Sequence, residues 1–351
     1  MEGPGAKARS ADPSDAAAVR EAVARLNDAA RTAFGEGDPQ GALMGLQKAA
    51  LLARSVSDLG VVGACLVESA EVLAAIGEYQ EAERFLGRAR DLARDEGLEA
   101  LKGEVYRGYG SLYKARGRLD EAAVCYDRAL ERLEYTTDDR ALARTLLGLS
   151  EVYLRQGRGA PATHVLARAA ALKPSPDLGL AVRLHLNLGR VAYASGDLGS
   201  ATRQYASAAQ AAREGGRTFD QEVAALGLAG LHLEAGRLED ALESVKEALA
   251  LSIVAFAREP VQSVERARFR AMGERLLALD TAALRSAPSA RLRRGVNEAV
   301  RLHDAHPLVL TGGERPYGSM TLALEPRAET SPTPSSANAA TVGPQNLRRL
   351  K

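Results

Sequence analysis

Tryptophan is absent from this chain of 351 residues, and aromatic residues make up only 4% of it. Helices packed closely through small side chains suit such a composition. The only two cysteines, Cys65 and Cys125, lie 60 positions apart, which argues against a disulfide framework and against a cysteine-based metal site. We expect both to be small buried hydrophobes in a reducing compartment.

Net charge and hydropathy argue against nucleic-acid-binding proteins and membrane proteins. The formal net charge is +1, so no overall field draws the chain to nucleic acid or to a membrane surface. No stretch approaches the roughly 18 apolar residues of a membrane span. The first fifteen residues lack the apolar core of a signal peptide, and we therefore expect a cytoplasmic protein.

Catalytic motifs are also missing from the sequence. HExxH, CxxC and GxSxG do not occur, and "GPGAKARS" (3–10) has the wrong spacing for a phosphate-binding loop. His303 and His306 offer too few ligands for a metal ion. We therefore expect no enzyme activity, no catalytic residues, no cofactor and no metal.

What the chain does contain is a repeat, marked by six glycines. Their successive differences are 40, 40, 40, 39 and 40, which indicates a repeat array. The glycines are Gly37, Gly77, Gly117, Gly157, Gly196 and Gly236. Alanine stands five residues after each glycine, at Ala42, Ala82, Ala122, Ala162, Ala201 and Ala241, and again twelve residues after each. A larger apolar residue stands nine after each glycine, and a small residue seven before it.

These spacings predict two helices in each repeat, separated by a turn at the glycine. Steps of three, four and seven place residues on one face of a helix, and glycine enters the left-handed conformation at little cost. Small residues at fixed points let helix backbones approach closely. A single hairpin cannot bury its apolar face alone, so the hairpins should stack into a solenoid.

The pattern resembles the tetratricopeptide repeat family. Ala122 to Tyr126 and Ala201 to Tyr205 fit its A-x3-F element, and "GRLDEAAVCYDRAL" (117–130) is typical of its second helix. The period is about 40 residues instead of the usual 34, so each helix pair should be longer. The resemblance implies an all-α, right-handed α-solenoid of six helix-turn-helix repeats with C-terminal capping helices and a disordered tail.

Composition divides the chain into four parts. We expect a disordered N-terminus (1–14), six repeats (15–255), capping helices (256–305) and a mostly disordered tail (306–351). A short hairpin within the tail is the alternative to disorder there. The cap should contain one helix over 259–284 and another over 289–305. Its surplus of five positive charges between 258 and 301 indicates either a solvated face or a docking surface for an acidic partner.

The resemblance implies that the first helices of the repeats line a concave groove. Mapping its groove-facing positions onto repeats 3–5 gives ten candidate partner-binding residues. They are Arg107, Lys114, Arg144, Leu147, Arg155, Arg183, Leu186, Asn187, Arg190 and Tyr193. Cations outnumber acids there, so the groove should be basic, and the apolar members should receive apolar side chains. The alternative is that these charges form intramolecular pairs, such as Arg155 with Glu151.

Two functions follow as hypotheses. The first is a non-enzymatic adaptor that binds a protein or peptide, with an acidic segment in the groove. The second is a regulator whose solenoid changes shape when it binds a peptide. No nucleic-acid partner and no membrane span are expected, and the oligomeric state stays open.

Overall fold

Thirteen helices account for the described fold, and twelve of them form the repeat array. The computed structural model describes residues 13–36, 38–172, 177–256, 274–275, 278–279 and 290–304. The helices are α1 (Pro13–Gly35), α2 (Pro39–Ser55), α3 (Leu59–Ala75), α4 (Tyr79–Asp95), α5 (Glu99–Ala115), α6 (Leu119–Leu133), α7 (Asp139–Arg155), α8 (Gly159–Ala171), α9 (Leu178–Ala194), α10 (Leu198–Glu214), α11 (Thr218–Glu234), α12 (Leu238–Phe256) and α13 (Ala290–Asp304).

The helix lengths explain the long period. Helices α3, α4 and α5 each contain 17 residues and are joined by three-residue linkers. One helix with its linker is therefore half a repeat, and two such units make one complete repeat. The predicted α-solenoid of six repeats is thereby confirmed, and the odd-numbered helices from α1 to α11 are the first helices of the repeats.

Each repeat glycine that the structure describes ends a helix in the left-handed conformation. Gly77 has φ 89°, and the amide of Glu78 donates to the carbonyl of Leu73, which satisfies an end carbonyl of α3. The same geometry recurs half a repeat later at Gly97 (φ 64°) and half a repeat earlier at Ser57 (φ 58°). Turns with a residue of positive φ therefore also occur half a repeat away from the repeat glycines, at Ser57, Gly97 and Gly216, although the linker between α6 and α7 contains no such residue.

Aspartates begin several helices. Asp38 accepts a hydrogen bond from the amide of Gly41 at 2.7 Å, and Asp197 accepts one from Ser200 at 2.8 Å. Asp58, Asp138 and Asp177 cap α3, α7 and α9 in the same way. Each carboxylate satisfies an amide that has no partner inside its helix, which fixes the first residue of the helix.

Small residues let the helices of a hairpin approach closely. All six alanines five positions after the repeat glycines are completely buried. The rings of Tyr126 and Tyr205 occupy space that glycines leave open. A Cβ on Gly110 would lie 3.0 Å from the Tyr126 ring, and one on Gly148 would lie 2.6 Å from its Cζ. A tyrosine inside the array thus requires glycine both in its own repeat and in the next.

The cap is described in part. Helix α13 confirms the second predicted capping helix and buries Leu292, Val296 and Ala299 against α12. Of the predicted 259–284 helix, only residues 274–275 and 278–279 are described, and these are helical. The expected disorder of 1–14, apart from the helical Pro13 and Ser14, and the expected hairpin and disorder in 306–351 lie outside the described residues.

Candidate partner-binding groove

The inner face of the solenoid is recognised from contacts between repeats that are not neighbours. Arg144 of α7, in repeat 4, contacts Glu68 and Glu71 of α3, in repeat 2, at 2.6 and 2.7 Å. A side chain can bypass the intervening repeat only across the concave side. Both residues of each pair therefore face the groove.

Six charged side chains form one cluster on this inner face, which we call the six-charge cluster. Its members are Arg31, Glu68, Glu71, Glu104, Arg107 and Arg144. Arg31 contacts Glu68 at 2.7 Å, while Arg107 donates to both Glu71 and Glu104. Among these six, three cations face three carboxylates, so their charges balance; Arg31 also contacts Asp28 at 2.8 Å, which links the cluster to Arg140 and Asp177.

Burial makes the pairing in this cluster strong. Arg107 is only 2% exposed, and a buried charge is tolerated only when it is paired. Burial alone would raise the pKa of Glu68, but Arg144 and Arg31 outweigh it and lower that pKa to about 2. Arg107 and Arg144 likewise hold the pKa of Glu71 well below its usual range, against the effect of burial. Both carboxylates stay ionised at neutral pH.

A second, smaller group of charges lies in repeats 3–5. Glu151 accepts hydrogen bonds from both Lys114 and Arg183, the latter at 2.7 Å. Arg155, the neighbouring cation, donates to the backbone carbonyl of Lys114 at 2.7 Å. The structure thus contains the intramolecular pairs that the sequence offered as an alternative, although the pair predicted between Arg155 and Glu151 is replaced by contacts between repeats.

Repeat 5 contributes three further polar side chains to this face, those of Asn187, Arg190 and Tyr193. Asn187 is 1% exposed, donates to Ser150 Oγ at 2.9 Å and accepts from Arg190 at 3.1 Å. The Tyr193 hydroxyl donates to Glu234 of α11. Burial raises the pKa of Tyr193 to about 12, and Glu234 adds to the rise, so the hydroxyl remains a donor.

Four of the ten candidate residues are not accessible as expected. Leu147 and Leu186 are buried in the core, 1% and 6% exposed, so the role predicted for them in receiving a partner's apolar side chains is wrong. Arg107 and Asn187 are also buried, and their polar atoms form hydrogen bonds within the protein. Lys114, Arg144, Arg155, Arg183, Arg190 and Tyr193 remain at least partly exposed. Their binding of a partner stays a prediction.

Repeat 1 also takes part, which the sequence-based mapping missed. Arg140 of α7 bridges Asp28 of α1 and Asp177, at 3.3 and 2.6 Å. Arg217, next to α11, donates to the carbonyl of Arg31 at 3.4 Å. Helix α1 thus contacts repeats 4 and 6 directly.

Other kinds of site were sought over the part of the chain that the structure describes. It contains no group of three metal-ligating side chains. None of its helices is both long and apolar enough to cross a membrane. Cys65 and Cys125 are free and buried, and burial raises the pKa of each thiol to about 12, so the prediction of small buried hydrophobes is confirmed.

Comparison with known proteins agrees with this architecture. The profile of the tetratricopeptide repeat family matches residues 102–175, which cover parts of repeats 3 and 4. The chain therefore contains tetratricopeptide repeats. No curated protein matches it.

Solved structures share the fold at low sequence identity. The apo form of RapI has a TM-score of 0.55 at 12% identity, over 81% of this chain and 76% of RapI. A Rap protein complexed with Competence and Sporulation Factor has a TM-score of 0.50 at 12% identity, over 85% and 89%. A signal-transduction ATPase with a tetratricopeptide repeat sensor, from Pyrococcus horikoshii, has a TM-score of 0.53 at 13% identity, over 82% of this chain and 47% of the ATPase.

Proposed function

We propose that this protein is a non-enzymatic adaptor that binds a segment of another protein in its groove. The observation that supports this most is the concentration of ionised side chains on the inner face, which the hydrophobic core does not require. Arg144, Arg183 and Glu151 lie partly exposed on this face and not in the core between the helices. Charged groups on a concave surface give a binding site specificity.

The finer proposal is that the bound segment is acidic. Lys114, Arg155, Arg183 and Arg190 lie in three consecutive repeats, 3–5, and the carboxylate of Glu151 contacts two of them, Lys114 and Arg183. Arginine forks bind carboxylates in a bidentate way. We place this binding in the cytoplasm, where two free, buried thiols are ordinary.

Site-specific photo-crosslinking tests this proposal. A photo-reactive amino acid at Tyr193, on the inner face, should capture peptides rich in aspartate and glutamate from a cell extract. The control places the same amino acid at Met44, which is 57% exposed on the second helix of repeat 1. Equal capture at the two positions, or captured peptides without an acidic bias, would contradict the proposal.

A peptide-responsive regulator is the second candidate, and the contacts of α1 favour it. The Asp28–Arg140 ion pair is partly exposed, and the bond from Arg217 to the carbonyl of Arg31 is long, at 3.4 Å. Exposed polar contacts are weak, so a ligand could separate α1 from repeats 4–6 at small cost. X-ray scattering with and without an acidic peptide tests this. An unchanged radius of gyration at saturation would exclude the sensor mechanism.

A further inference from the structure

The inner face has two electrically different parts. The six-charge cluster is balanced, and each of its carboxylates contacts at least one arginine. The second part, which we call the cationic half, has five cations and two carboxylates. Its charged members are Lys114, Glu151, Arg155, Arg183, Arg190, Glu234 and Arg275. Among these described residues there is a surplus of three positive charges.

Three arginines of the cationic half have unused donors among the described residues. The hydrogen bonds of Arg155 and Arg190 go to neutral oxygens: the carbonyl of Lys114, the amide of Asn187 and, for Arg190, also the Tyr205 hydroxyl. The Nε of Arg275 is buried without a hydrogen-bond partner, as is the Nε of Arg31 in the six-charge cluster. A guanidinium offers five N–H donors, and a buried donor without a partner is costly.

Side-chain contacts join most of these groups. Lys114 and Arg183 both contact Glu151, and Arg190 donates to Asn187, which in turn donates to Ser150 of repeat 4. Burial raises the pKa of Tyr205, and the charges of Arg190 and Arg275 oppose the rise. Arg275 acts in the same way on Tyr193, whose hydroxyl contacts Glu234. The strip therefore runs from Lys114 in repeat 3 through repeats 4 and 5 to the cap.

We propose that an acidic segment binds along this strip, with its carboxylates held by Arg155, Arg190 and Arg275, while the six-charge cluster stays paired. This inference rests on the proposed function and narrows it to one half of the groove. The ligand is an extended protein segment with at least two carboxylates. Charge complementarity selects it, because an apolar or basic segment would leave the surplus uncompensated.

Fluorescence anisotropy with labelled twelve-residue peptides tests the assignment. The probes carry zero, two, four or six glutamates in a glycine–serine background, with a six-lysine peptide for comparison. For the wild type, affinity should rise with the number of glutamates and fall with added salt. The Arg155→Gln, Arg190→Gln double variant should lose about 10- to 100-fold in affinity for the six-glutamate peptide, because two of the three arginines that hold its carboxylates are removed.

The matched control removes two exposed arginines from second helices, as Arg54→Gln and Arg84→Gln. It changes the net charge equally and should bind like the wild type. Full binding by the Arg155/Arg190 variant overturns the assignment while leaving an acidic-segment adaptor in place. An equal loss in the control shows unspecific attraction and also overturns it. Failure of every glutamate peptide to bind the wild type removes the acidic-segment function itself.

Discussion

The six-charge cluster gives a quantitative prediction for Glu68. Its carboxylate is 10% exposed and lies 2.6 and 2.7 Å from Arg144 and Arg31. Burial opposes ionisation, but the two arginines prevail, and the pKa falls from 4.5 to about 2 in the folded state. A pKa difference of one corresponds to about 1.4 kcal/mol, so ionised Glu68 stabilises the fold by about 3 kcal/mol at pH 7.

The sign of the pH dependence follows from the lowered pKa. The stabilisation is complete well above pH 4.5 and is lost as the pH falls toward 2, because the unfolded chain takes up the proton first. About 2 kcal/mol should remain at pH 3.5. Glu68→Gln should therefore be less stable than the wild type by about 3 kcal/mol at pH 7, and this difference should shrink as the pH falls.

Urea unfolding followed by circular dichroism at pH 7, 5 and 3.5 measures this difference. Glu83→Gln is the control, because Glu83 forms an exposed pair with Arg116 at 3.1 Å and should contribute less than about 1 kcal/mol. A difference for Glu68→Gln that stays constant over the pH range, or that matches the control at pH 7, would refute the reasoning.

Three further predictions concern packing, turns and thiols. Gly148→Ala should lower the free energy of unfolding by about 1–3 kcal/mol, because its Cβ would clash with the Tyr126 ring, and this loss should disappear in a Tyr126→Leu background. Thermal unfolding that shows the same loss in both backgrounds would contradict the steric explanation. In urea unfolding, Gly77→Ala should lower the free energy of unfolding by about 1–2 kcal/mol, because residue 77 has a positive φ. Gly87→Ala should raise it by about 0.5–1 kcal/mol, because Gly87 lies inside a helix with open space around it. The two cysteines should resist a thiol reagent at pH 8 until the protein is denatured; rapid labelling of the native protein would show that they are accessible.

The fold could be predicted from relations between residues that lie close together in the sequence. The glycine and alanine columns needed only helix geometry and the cost of a left-handed turn. The half-repeat spacing of the turns was harder to recognise, because serine replaces glycine at Ser57. A requirement for positive φ is visible in sequence only where glycine meets it.

The pairing of charges across the groove was not predictable in the same way. Arg144 and Glu68 are 76 residues apart, and they meet only because small rotations between repeats accumulate over two repeats. The local rule for residues four apart favoured Arg155 with Glu151. The longer-range contacts of Glu151 with Lys114 and Arg183 prevailed. The family resemblance therefore supplied candidate residues for the inner face, but no sequence rule showed which of its charges are already paired.

Arginine side-chain NMR tests the division of the groove most directly. The protein is labelled with nitrogen-15 at arginine, the Nε signals are assigned with single variants, and the six-glutamate peptide is titrated in. We predict that the signals of Arg155 and Arg190 shift while those of Arg107 and Arg144 stay in place. Shifts at Arg107 and Arg144 with none at Arg155 and Arg190 would contradict the account.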